Sequence, residues 1–399
     1  MAYVLTREAL LLDLHAAFIS AKKHKSNKMY VRKYEEHLNE NLSLLCDELY
    51  NRTYKPEPSS CFVVERPKKR EVFAAKFRDR IVHHLYFNYT HDIYERTFIQ
   101  DTYSCIESRG THYGIERLAK HIRQESGNYH KDCYILKLDK RGYFMHIKRD
   151  RLLSIATDSL NKMRRHRVDK GNITTWGDIR DFDFILWLTR EIVMLEPKVS
   201  CKIVGRAEDW IGLDKSKSLF HTPEGCGIPI GNLTSQLFSN VYLNLFDQYV
   251  KRMLKCKHYG RYVDDSYIVS CDKDFLLSLV PKIRMFLKTS LGLDLHMGKL
   301  QIIKASYGVE FLGAYIKPYR MYVANGTITR TKVKSGAINL QDEDGAYRSI
   351  NAFLGILSHY SSYNIRRNLF FKPQFLRLGT FNKEFTKLTR NPSCKYFIA

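Results

Sequence analysis

Two adjacent carboxylates, Asp264 and Asp265, interrupt an apolar and aromatic stretch at residues 258–271. Large side chains alternate on both sides of this pair, a pattern that predicts a short β-hairpin with Asp264-Asp265-Ser266 at its turn. Two carboxylates this close raise each other's pKa unless a cation neutralises them. Mg²⁺ suits such a site, because it binds one or two carboxylates and keeps its other positions for water and phosphate. The alternative is an ordinary turn whose aspartates face water.

The charge of the chain predicts a polyanionic partner. Its 399 residues carry 65 Lys and Arg against 42 Asp and Glu, a net charge of +23 that is spread over the whole length. A generally basic soluble protein is the alternative. The nine cysteines form no Cys-x-x-Cys pair, which indicates reduced thiols. The first residues lack a signal-peptide pattern, and no apolar run approaches the roughly 18 residues of a membrane span. We therefore expect a soluble cytoplasmic protein with no membrane partner.

Apolar periodicity along the chain predicts both helices and strands, and hence an α+β fold of two or three domains. Residues 148–220 are predicted to be mostly helical and basic, with a polar loop near 205–220, and residues 320–399 to be basic and mostly helical. The other predicted helices span 6–23 (with Thr6 as N-cap), 29–50, 78–96, 114–125, about 235–255 and 273–291. The other predicted strands span 61–65, 71–75, 134–139 and 310–316.

The strand at 134–139 ends on a third carboxylate, Asp139. The order strand, helices, glycine-rich turn, long helix, hairpin, helix and strand fits a split βαβ sheet of the ferredoxin-like type. In that topology the end of the first strand lies beside the central hairpin, so Asp139 is expected next to Asp264. Three carboxylates there could hold two Mg²⁺ ions roughly 4 Å apart, the arrangement used for in-line displacement at phosphorus. One ion would activate a 3′-hydroxyl and the other would hold the triphosphate of an incoming nucleotide.

The ordered motifs of the chain resemble those of reverse transcriptases over nearly its whole length. No single block is decisive, but the ordered set is highly specific. The hairpin string Tyr262-Val-Asp-Asp265 resembles motif C. The other blocks, in chain order, are the fingers strings Pro67-Lys-Lys-Arg70 and Phe77-Arg-Asp-Arg-Ile-Val82, motif A Leu138-Asp-Lys-Arg-Gly-Tyr-Phe144, motif B Gly231-Asn-Leu-Thr-Ser-Gln236, the motif D lysine Lys299 and the primer grip Phe311-Leu312-Gly313.

Motif B narrows the resemblance. Ile230-Gly231 and Ser235-Gln236 are similar to the Ile/Val/Leu-Gly-x-x-x-Ser-Gln signature of reverse transcriptases from diversity-generating retroelements of bacteria and phages. Such enzymes copy a template-repeat RNA with frequent errors at adenine, and the cDNA rewrites a variable repeat in a target gene. The resemblance implies template RNA, an RNA–DNA hybrid and deoxynucleotides as ligands, and a small basic accessory protein, expected to be an oligomer, as partner. Mg²⁺ is the implied cofactor, with Mn²⁺ as a substitute.

The resemblance also implies a right-hand polymerase with an α+β fold. Fingers are expected at residues 1–130, a ferredoxin-like palm with an antiparallel sheet at 131–318, and a basic helical thumb at 319–399. The palm carries an insertion at about 148–222 that departs from the shortest family members. Additional RNA contacts are one role that this insertion could have.

Site residues follow from the same motifs. Asp139, Asp264 and Asp265 are the implied catalytic residues and, with Lys140, the implied metal site. The residues assigned to nucleotide binding are Lys68, Lys69, Arg70, Arg80, Phe144, Gly231, Gln236 and Lys299. Those assigned to fidelity are Ile230 and Gln236, and those assigned to the primer grip are Phe311, Leu312 and Gly313.

Phe144 and the basic turn each have an alternative role. Phe144 is a steric gate against the ribose 2′-hydroxyl, or else an ordinary core aromatic. Arg70 would pair with the incoming triphosphate, unless the basic turn is simply solvated. Arg80 would instead brace the fingers if it lies on a helix.

The motif B and motif D residues are also open to two interpretations. Gly231 would let the backbone approach the nucleotide closely. Gln236 can donate and accept hydrogen bonds, so near the templating base it would tolerate several pairings, unless it bonds backbone at a helix start. Lys299 is a general acid to the leaving pyrophosphate or a charge partner.

Three functions stay open at the level of sequence. The first is an adenine-error-prone RNA-directed DNA polymerase of a diversity-generating retroelement. The second is an antiphage-defence or other bacterial reverse transcriptase, and the third is a catalytically idle, RNA-binding palm scaffold. The intact Asp139, Asp264 and Asp265 argue against the scaffold, which has no use for three uncompensated acids.

Overall fold

Helices and a small sheet form the N-terminal part of the chain in this computed structural model, which describes residues 3–65, 68–169, 171 and 173–390. The Thr6 hydroxyl accepts a hydrogen bond from the amide of Ala9 and caps the first helix, as predicted. The predicted helix at 29–50 is instead two helices, because the backbone of His37 leaves the helical conformation. The elements are α1 (Arg7–Lys22), α2 (Met29–Glu36), α3 (Leu38–Tyr50), β1 (Ser59–Val64), β2 (Arg70–Ala74), α4 (Phe77–Glu95) and α5 (Thr111–Glu125).

A four-stranded antiparallel sheet, the central sheet, organises the middle of the chain. Its strand order is β5-β6-β3-β7, with β3 paired on one side to β6 and on the other to β7. The predicted hairpin and the predicted split βαβ order are present, except that the last strand of this sheet is β7 and not the strand predicted at 310–316, which belongs to another sheet. The elements are β3 (Tyr134–Leu138), α6 (Tyr143–His146), α7 (Arg149–Arg164), α8 (Phe182–Val193), β4 (Cys201–Ile203), α9 (Leu233–Gln248), β5 (His258–Tyr262), β6 (Asp265–Ser270), α10 (Lys273–Leu291) and β7 (Gln301–Lys304).

Both faces of the central sheet are covered, as alternation along its strands requires. Leu136 and Ile268 lie in a large core with α1, α4 and α7 to α10. Ile135 and Val269 point to the opposite face and pack against α5 and the C-terminal elements. Burial on both sides fixes the register of the hairpin, because a slip of one residue would turn every side chain to the other face.

The predicted insertion is only partly helical. After α7 and α8 the chain forms the short strand β4, which pairs in parallel with β1 to give an N-terminal sheet of order β2-β1-β4. The rest of the insertion consists of 3₁₀ turns, with no run long enough for the periodicity by which helices are recognised. These turns are Ala207–Trp210, Lys215–Lys217 and Leu219–His221.

The C-terminal part mixes strands with helices, which corrects two predictions. The single strand predicted at 310–316 is a hairpin, since Leu312 and Gly313 both have positive φ and turn the chain. The mostly helical tail also contains three strands. The elements are β8 (Val309–Phe311), β9 (Ala314–Lys317), β10 (Arg320–Val323), α11 (Asn325–Gly336), α12 (Glu343–Ser358), α13 (Tyr363–Phe370), α14 (Pro373–Leu376), β11 (Thr380–Phe381) and β12 (Leu388–Thr389).

The structure confirms an α+β arrangement of sheets covered by helices. None of the described helices is long and apolar enough to cross a bilayer. Eight cysteines lie in the described part of the chain, and all eight are free thiols.

Candidate active site

The hairpin turn is tighter than the sequence suggested. Tyr262 pairs with Asp265 and Arg261 with Ser266, so the turn consists of Val263 and Asp264 alone, and Asp265 begins β6. Val263 has φ +53°, a left-handed conformation that is unfavourable for a β-branched residue. Such a conformation costs on the order of 1–3 kcal/mol and persists only where the surroundings hold it.

Two buried basic side chains donate hydrogen bonds to the turn of the hairpin. The Arg261 guanidinium donates to the carbonyl of Val263 (2.9 Å), while its other nitrogens form a fully buried ion pair with Asp247 (2.6 Å). The Lys140 ammonium donates to the carbonyl of Asp264 (2.8 Å) and to the Ser266 hydroxyl (2.7 Å). Both carbonyls of the turn are therefore held by charged donors, which make stronger hydrogen bonds than neutral ones.

Asp139 reaches the same place from β3. Leu138 pairs with Ser266, so the residue that follows β3 lies beside the hairpin tip, as predicted. Its backbone carbonyl accepts a hydrogen bond from the amide of His296 (2.9 Å), which fixes the strand end. Its carboxylate accepts from the Lys299 ammonium (2.5 Å). This hydrogen bond and the nearby aspartates raise the pKa of Lys299, which keeps it protonated at neutral pH.

The three aspartates act on one another electrostatically. Burial, followed by the charges of Asp265 and Asp139, raises the pKa of Asp264 to about 6. The Asp265 side chain is exposed at one side, but the protein around it and the charge of Asp139 still raise its pKa. Below them, burial and the charge of Arg261 lower the pKa of Lys140 to about 8. At Asp264 and Asp265, burial and the repulsion between carboxylates therefore outweigh the attraction of the nearby lysines.

Such a donor set fits a divalent cation bound in an open site. Among the residues that the structure describes, no three or more His, Cys, Asp and Glu side chains form a ready-made metal cluster. Mg²⁺ does not need one, because it keeps several waters and uses one or two carboxylates. Burial and the neighbouring carboxylates raise the pKa values of Asp264 and Asp265, so a bound cation would stabilise their charged forms. Lys140 could contribute only its backbone carbonyl, since its ammonium is a hydrogen-bond donor.

The carboxylates open into a cleft of about 740 Å³, the active-site cleft. Its walls come from β2 and the turn before it, from the strand end and helix around Asp139, and from the insertion. The lining side chains assigned from sequence are Lys68, Lys69, Arg70, Asp139, Lys140, Phe144, Ile230, Asp264 and Lys299. The structure therefore brings together most of the predicted site, and it places Phe144 on the wall of the cleft, half-buried. The roles assigned to these residues stay predictions.

Four residues assigned to catalysis or nucleotide binding are not among the described residues that line the cleft: Arg80, Gly231, Gln236 and Asp265, which is exposed next to Asp264. Arg80, on α4, donates to the carbonyl of Ala75 (2.8 Å) and to the Tyr30 hydroxyl (3.1 Å), so it braces neighbouring elements. A Cβ on Gly231 would meet Val72 at 2.9 Å, so its backbone closely approaches β2. Gln236 is exposed on the first turn of α9 and accepts a hydrogen bond from the thiol of Cys105 (3.2 Å).

The predicted primer grip lies on the face of the central sheet that packs against α5 and the C-terminal elements. Phe311 packs edge-on against Tyr267, with ring centroids 5.2 Å apart. Leu312 and Gly313 form the tight turn between β8 and β9, and the carbonyl of Gly313 accepts from the Ala324 amide (3.0 Å). The first residue of the basic fingers string, Pro67, lies outside the described residues.

Sequence reasoning missed the contribution of the insertion. Asp214, Ser216 and Lys217 line the active-site cleft, although they lie about 50 residues before the hairpin (264 − 214) in a loop with no periodic pattern. The one sequence feature that pointed to a role of this loop in phosphate binding was its pair of lysines, Lys215 and Lys217. Arg261 was also missed, because its role at the hairpin turn depends on Asp247, 14 residues earlier on another element.

Comparison with known proteins gives one family match. A family model described as reverse transcriptase (RNA-dependent DNA polymerase) matches residues 68–316. Similar solved structures include telomerase from Candida albicans in complex with a fragment of telomeric RNA, at 11% identity and TM-score 0.47 over 82% of this chain and 56% of that chain. Apo telomerase from Candida tropicalis is similar at 11% identity and TM-score 0.47 over 81% and 57%. The chain thus spans little more than half the length of these telomerases. No curated protein matches it.

Proposed function

This chain belongs to the reverse transcriptase family, and from that premise we propose that it is an active RNA-directed DNA polymerase. The observation that carries the proposal is that Asp139 and Asp264 line one cleft together with the basic turn before β2, and that Asp265 lies next to Asp264 at the start of β6. A scaffold that only bound RNA would gain nothing from carboxylates whose pKa values are raised by burial and by their mutual repulsion.

Each wall of the cleft suits one part of a nucleotidyl transfer. Asp139, Asp264 and Asp265 would hold Mg²⁺, which when bound stabilises charge on phosphoryl oxygens and lowers the pKa of a hydroxyl nucleophile. The basic side chains of Lys68 and Arg70 bind the triphosphate of the incoming nucleotide. These residues orient the reacting groups and stabilise the charge that spreads over the transferred phosphoryl group.

Two further cleft residues act on the leaving group and on the sugar. Lys299 carries a proton at neutral pH, held at its ammonium by the ion pair with Asp139. It therefore stabilises the leaving pyrophosphate, and it can donate that proton. Phe144 stands on the cleft wall two residues beyond the left-handed Gly142 and excludes a ribose 2′-hydroxyl by its bulk.

The finer proposal is adenine-error-prone copying of a template-repeat RNA, with a small basic protein as partner. Its support is the motif B sequence together with the position of Ile230 on the cleft wall and of Gln236 at the exposed start of α9. An exposed amide can donate to or accept from several bases, which is the property that tolerance of mispairs requires. The net charge of +23 supports an RNA template as the polyanionic ligand.

The test is primer extension with Mg²⁺ on a defined RNA template, followed by sequencing of the cDNA. We expect cDNA from the wild type and none from Asp264→Asn, with RNA binding unchanged in the variant. Substitutions concentrated at template adenines, and fewer of them in Gln236→Ala, would support the finer proposal. Faithful cDNA would reject the diversity-generating function and keep the polymerase. RNA binding without cDNA under every priming condition would leave the scaffold.

A further inference from the structure

A buried carboxylate fastens the end of the insertion, residues 206–222, to the N-terminal sheet. Glu71 on β2 is 1% exposed. Its carboxylate accepts hydrogen bonds from the Trp210 indole (2.8 Å), the Ser218 hydroxyl (2.8 Å) and the Leu219 amide (2.7 Å). A buried carboxylate is stable only with such donors, so this segment and β2 depend on each other. We call residues 206–222 the docked segment.

Apolar contacts place the docked segment between two walls of the cleft. Leu219 is buried in a small core with Phe73 of β2 and Met145 of α6. The ring of Phe220 lies 5.5 Å from that of Phe73. The segment therefore packs at once against the sheet that carries the basic turn and against the helix that follows Asp139. It is part of the cleft and not a detachable loop.

The turn Lys215–Lys217 lies between Trp210 and Ser218, two of the residues bonded to Glu71, and faces the active-site cleft. The Asp214 carboxylate accepts from the amide of Ser216 (2.9 Å) and fixes the start of the turn. The carbonyl of Ser216 would lie 3.0 Å from a Cβ on Gly142, which has φ +54°, so only glycine lets the two backbones approach this closely. Lys217 lines the active-site cleft, whereas Lys215, two residues earlier, does not.

The charges around this turn suit a polyphosphate. The exposed Lys217 and the neighbouring Arg141 both lower the pKa of Asp214, after its hydrogen bonds to Ser216, so the two cations lie near the same point of the cleft. Lys68 and Arg70 line the same cleft from the basic turn. A ligand with several negative charges can meet all of these cations at once.

Resting on the polymerase function proposed above, we infer that the docked segment is a third wall of the nucleotide site and that Lys217 binds the triphosphate of the incoming deoxynucleotide. Lys217 thereby supplements the cations of the basic turn. The insertion acts on substrate binding through this one side chain, and Glu71 is a positioning residue that holds the turn in place.

Primer extension with Lys217→Ala tests the inference, with Lys215→Ala as the matched control and Lys217→Arg as the rescue. One exposed charge pair corresponds to a factor of up to about five. In Lys217→Ala we expect the KM for deoxynucleotide to rise by about that factor, while kcat and primer–template affinity stay near the wild-type values. We expect Lys215→Ala and Lys217→Arg to have the wild-type KM. An unchanged KM would overturn the inference. So would weaker primer–template binding at constant KM, because Lys217 would then contact the template.

Equilibrium binding of dATP separates this inference from the proposed polymerase function. If the wild type makes no cDNA but Lys217→Ala still binds dATP about fivefold more weakly, the nucleotide site stands and the polymerase function fails. If the variant binds dATP as the wild type does, the inference fails whatever the polymerase activity.

A double variant tests the positioning role of Glu71. Glu71→Gln replaces an acceptor oxygen by a donor and is expected to expose the docked segment to trypsin and to raise the KM like Lys217→Ala. Because both changes remove the same contact, the double variant should show no further increase. A fully multiplicative increase would show that Glu71 does not act through Lys217. Should Glu71→Gln fail to fold, the surface variant Lys217→Ala still decides the inference.

Discussion

The ion pair beneath the hairpin tip gives a prediction that separates stability from activity. Arg261 is fully buried and bonds at the same time to Asp247 and to the carbonyl of Val263. Asp247 also accepts from the hydroxyls of Tyr259 (2.6 Å) and Thr102 (3.3 Å). Arg261→Met removes both functions of the arginine. Adding Asp247→Asn to it removes the uncompensated charge but keeps an acceptor for Tyr259.

The magnitudes follow from these contacts. Arg261→Met leaves the Asp247 carboxylate buried without its cation, which costs about 3–5 kcal/mol of unfolding free energy. The double variant, in which no charge is left unpaired, should recover about half of that loss. Neither variant holds the Val263 carbonyl, and a hydrogen bond from a charged group contributes about 1.5–3 kcal/mol. If this energy holds the strained tip in its reactive conformation, kcat falls roughly 10- to 100-fold in both variants.

Urea denaturation and single-turnover primer extension measure the two effects separately. Arg252→Met is the control, because Arg252 is exposed and donates to Gln248 on the same helical stretch. We expect Arg261→Met to lose stability and activity, the double variant to regain stability alone, and the control to change neither. Recovery of activity together with stability in the double variant would refute the reasoning, since the ion pair would then be only a scaffold.

Four further predictions follow from the cleft and from the charge of the chain. Burial and the neighbouring carboxylates raise the pKa of Asp264 from 3.8 to about 6, so ionisation of Asp264 destabilises the fold as pH rises through that window. At pH 7.5 in EDTA, Asp264→Asn should therefore be more stable than the wild type by about 1–3 kcal/mol. At pH 4 the difference should be smaller. Mg²⁺ should raise the melting temperature of the wild type and not of that variant, and an equal rise would contradict a metal site at Asp264. Phe144→Val should admit ribonucleotides, seen as alkali-labile product, and unchanged selectivity would place the gate elsewhere. RNA affinity should fall steeply with salt, with log Kd linear in log salt concentration, and a flat dependence would remove the phosphate contacts.

The sequence predicted β3, β5 and β6 of the central sheet because these strands obey local rules, but it did not predict β7. Alternation identified the hairpin, and helical periodicity located α10 to the residue, at Lys273–Leu291. Long-range pairing of β3 with β6 followed from the order of elements. The position of the turn at Val263 and Asp264 did not follow, because a β-branched residue with positive φ is locally unfavourable. The hydrogen bonds from Arg261 and Lys140 to the carbonyls of the turn impose this position. The sequence rules for turns do not include such contacts.

The insertion escaped prediction for a related reason. Its 3₁₀ turns carry no apolar period, and β4 pairs with β1, about 140 residues earlier in the chain (201 − 59). Glu71 lies on a strand, where a carboxylate normally faces water, yet it is buried by partners from that distant segment. Gly142 and Gly231 were visible as glycines, but the backbones that approach them, at Ser216 and at β2, come from elsewhere in the chain.

The net charge of +23 combines two kinds of cation that only the structure distinguishes. Lys140 and Arg261 are buried and bond to backbone carbonyls, so they can position the carboxylates but cannot reach a ligand. Lys217 and Lys299 are exposed in the cleft, so they can bind phosphate but contribute little to the fold. Variants of the first kind should therefore change stability and kcat together. Among the second kind, Lys217→Ala should change nucleotide binding alone, and Lys299→Ala should lower kcat without loss of stability. Burial thus decides what a basic residue does in this chain. The motif assigned Lys140 to the metal site, but its buried side chain supports the hairpin turn.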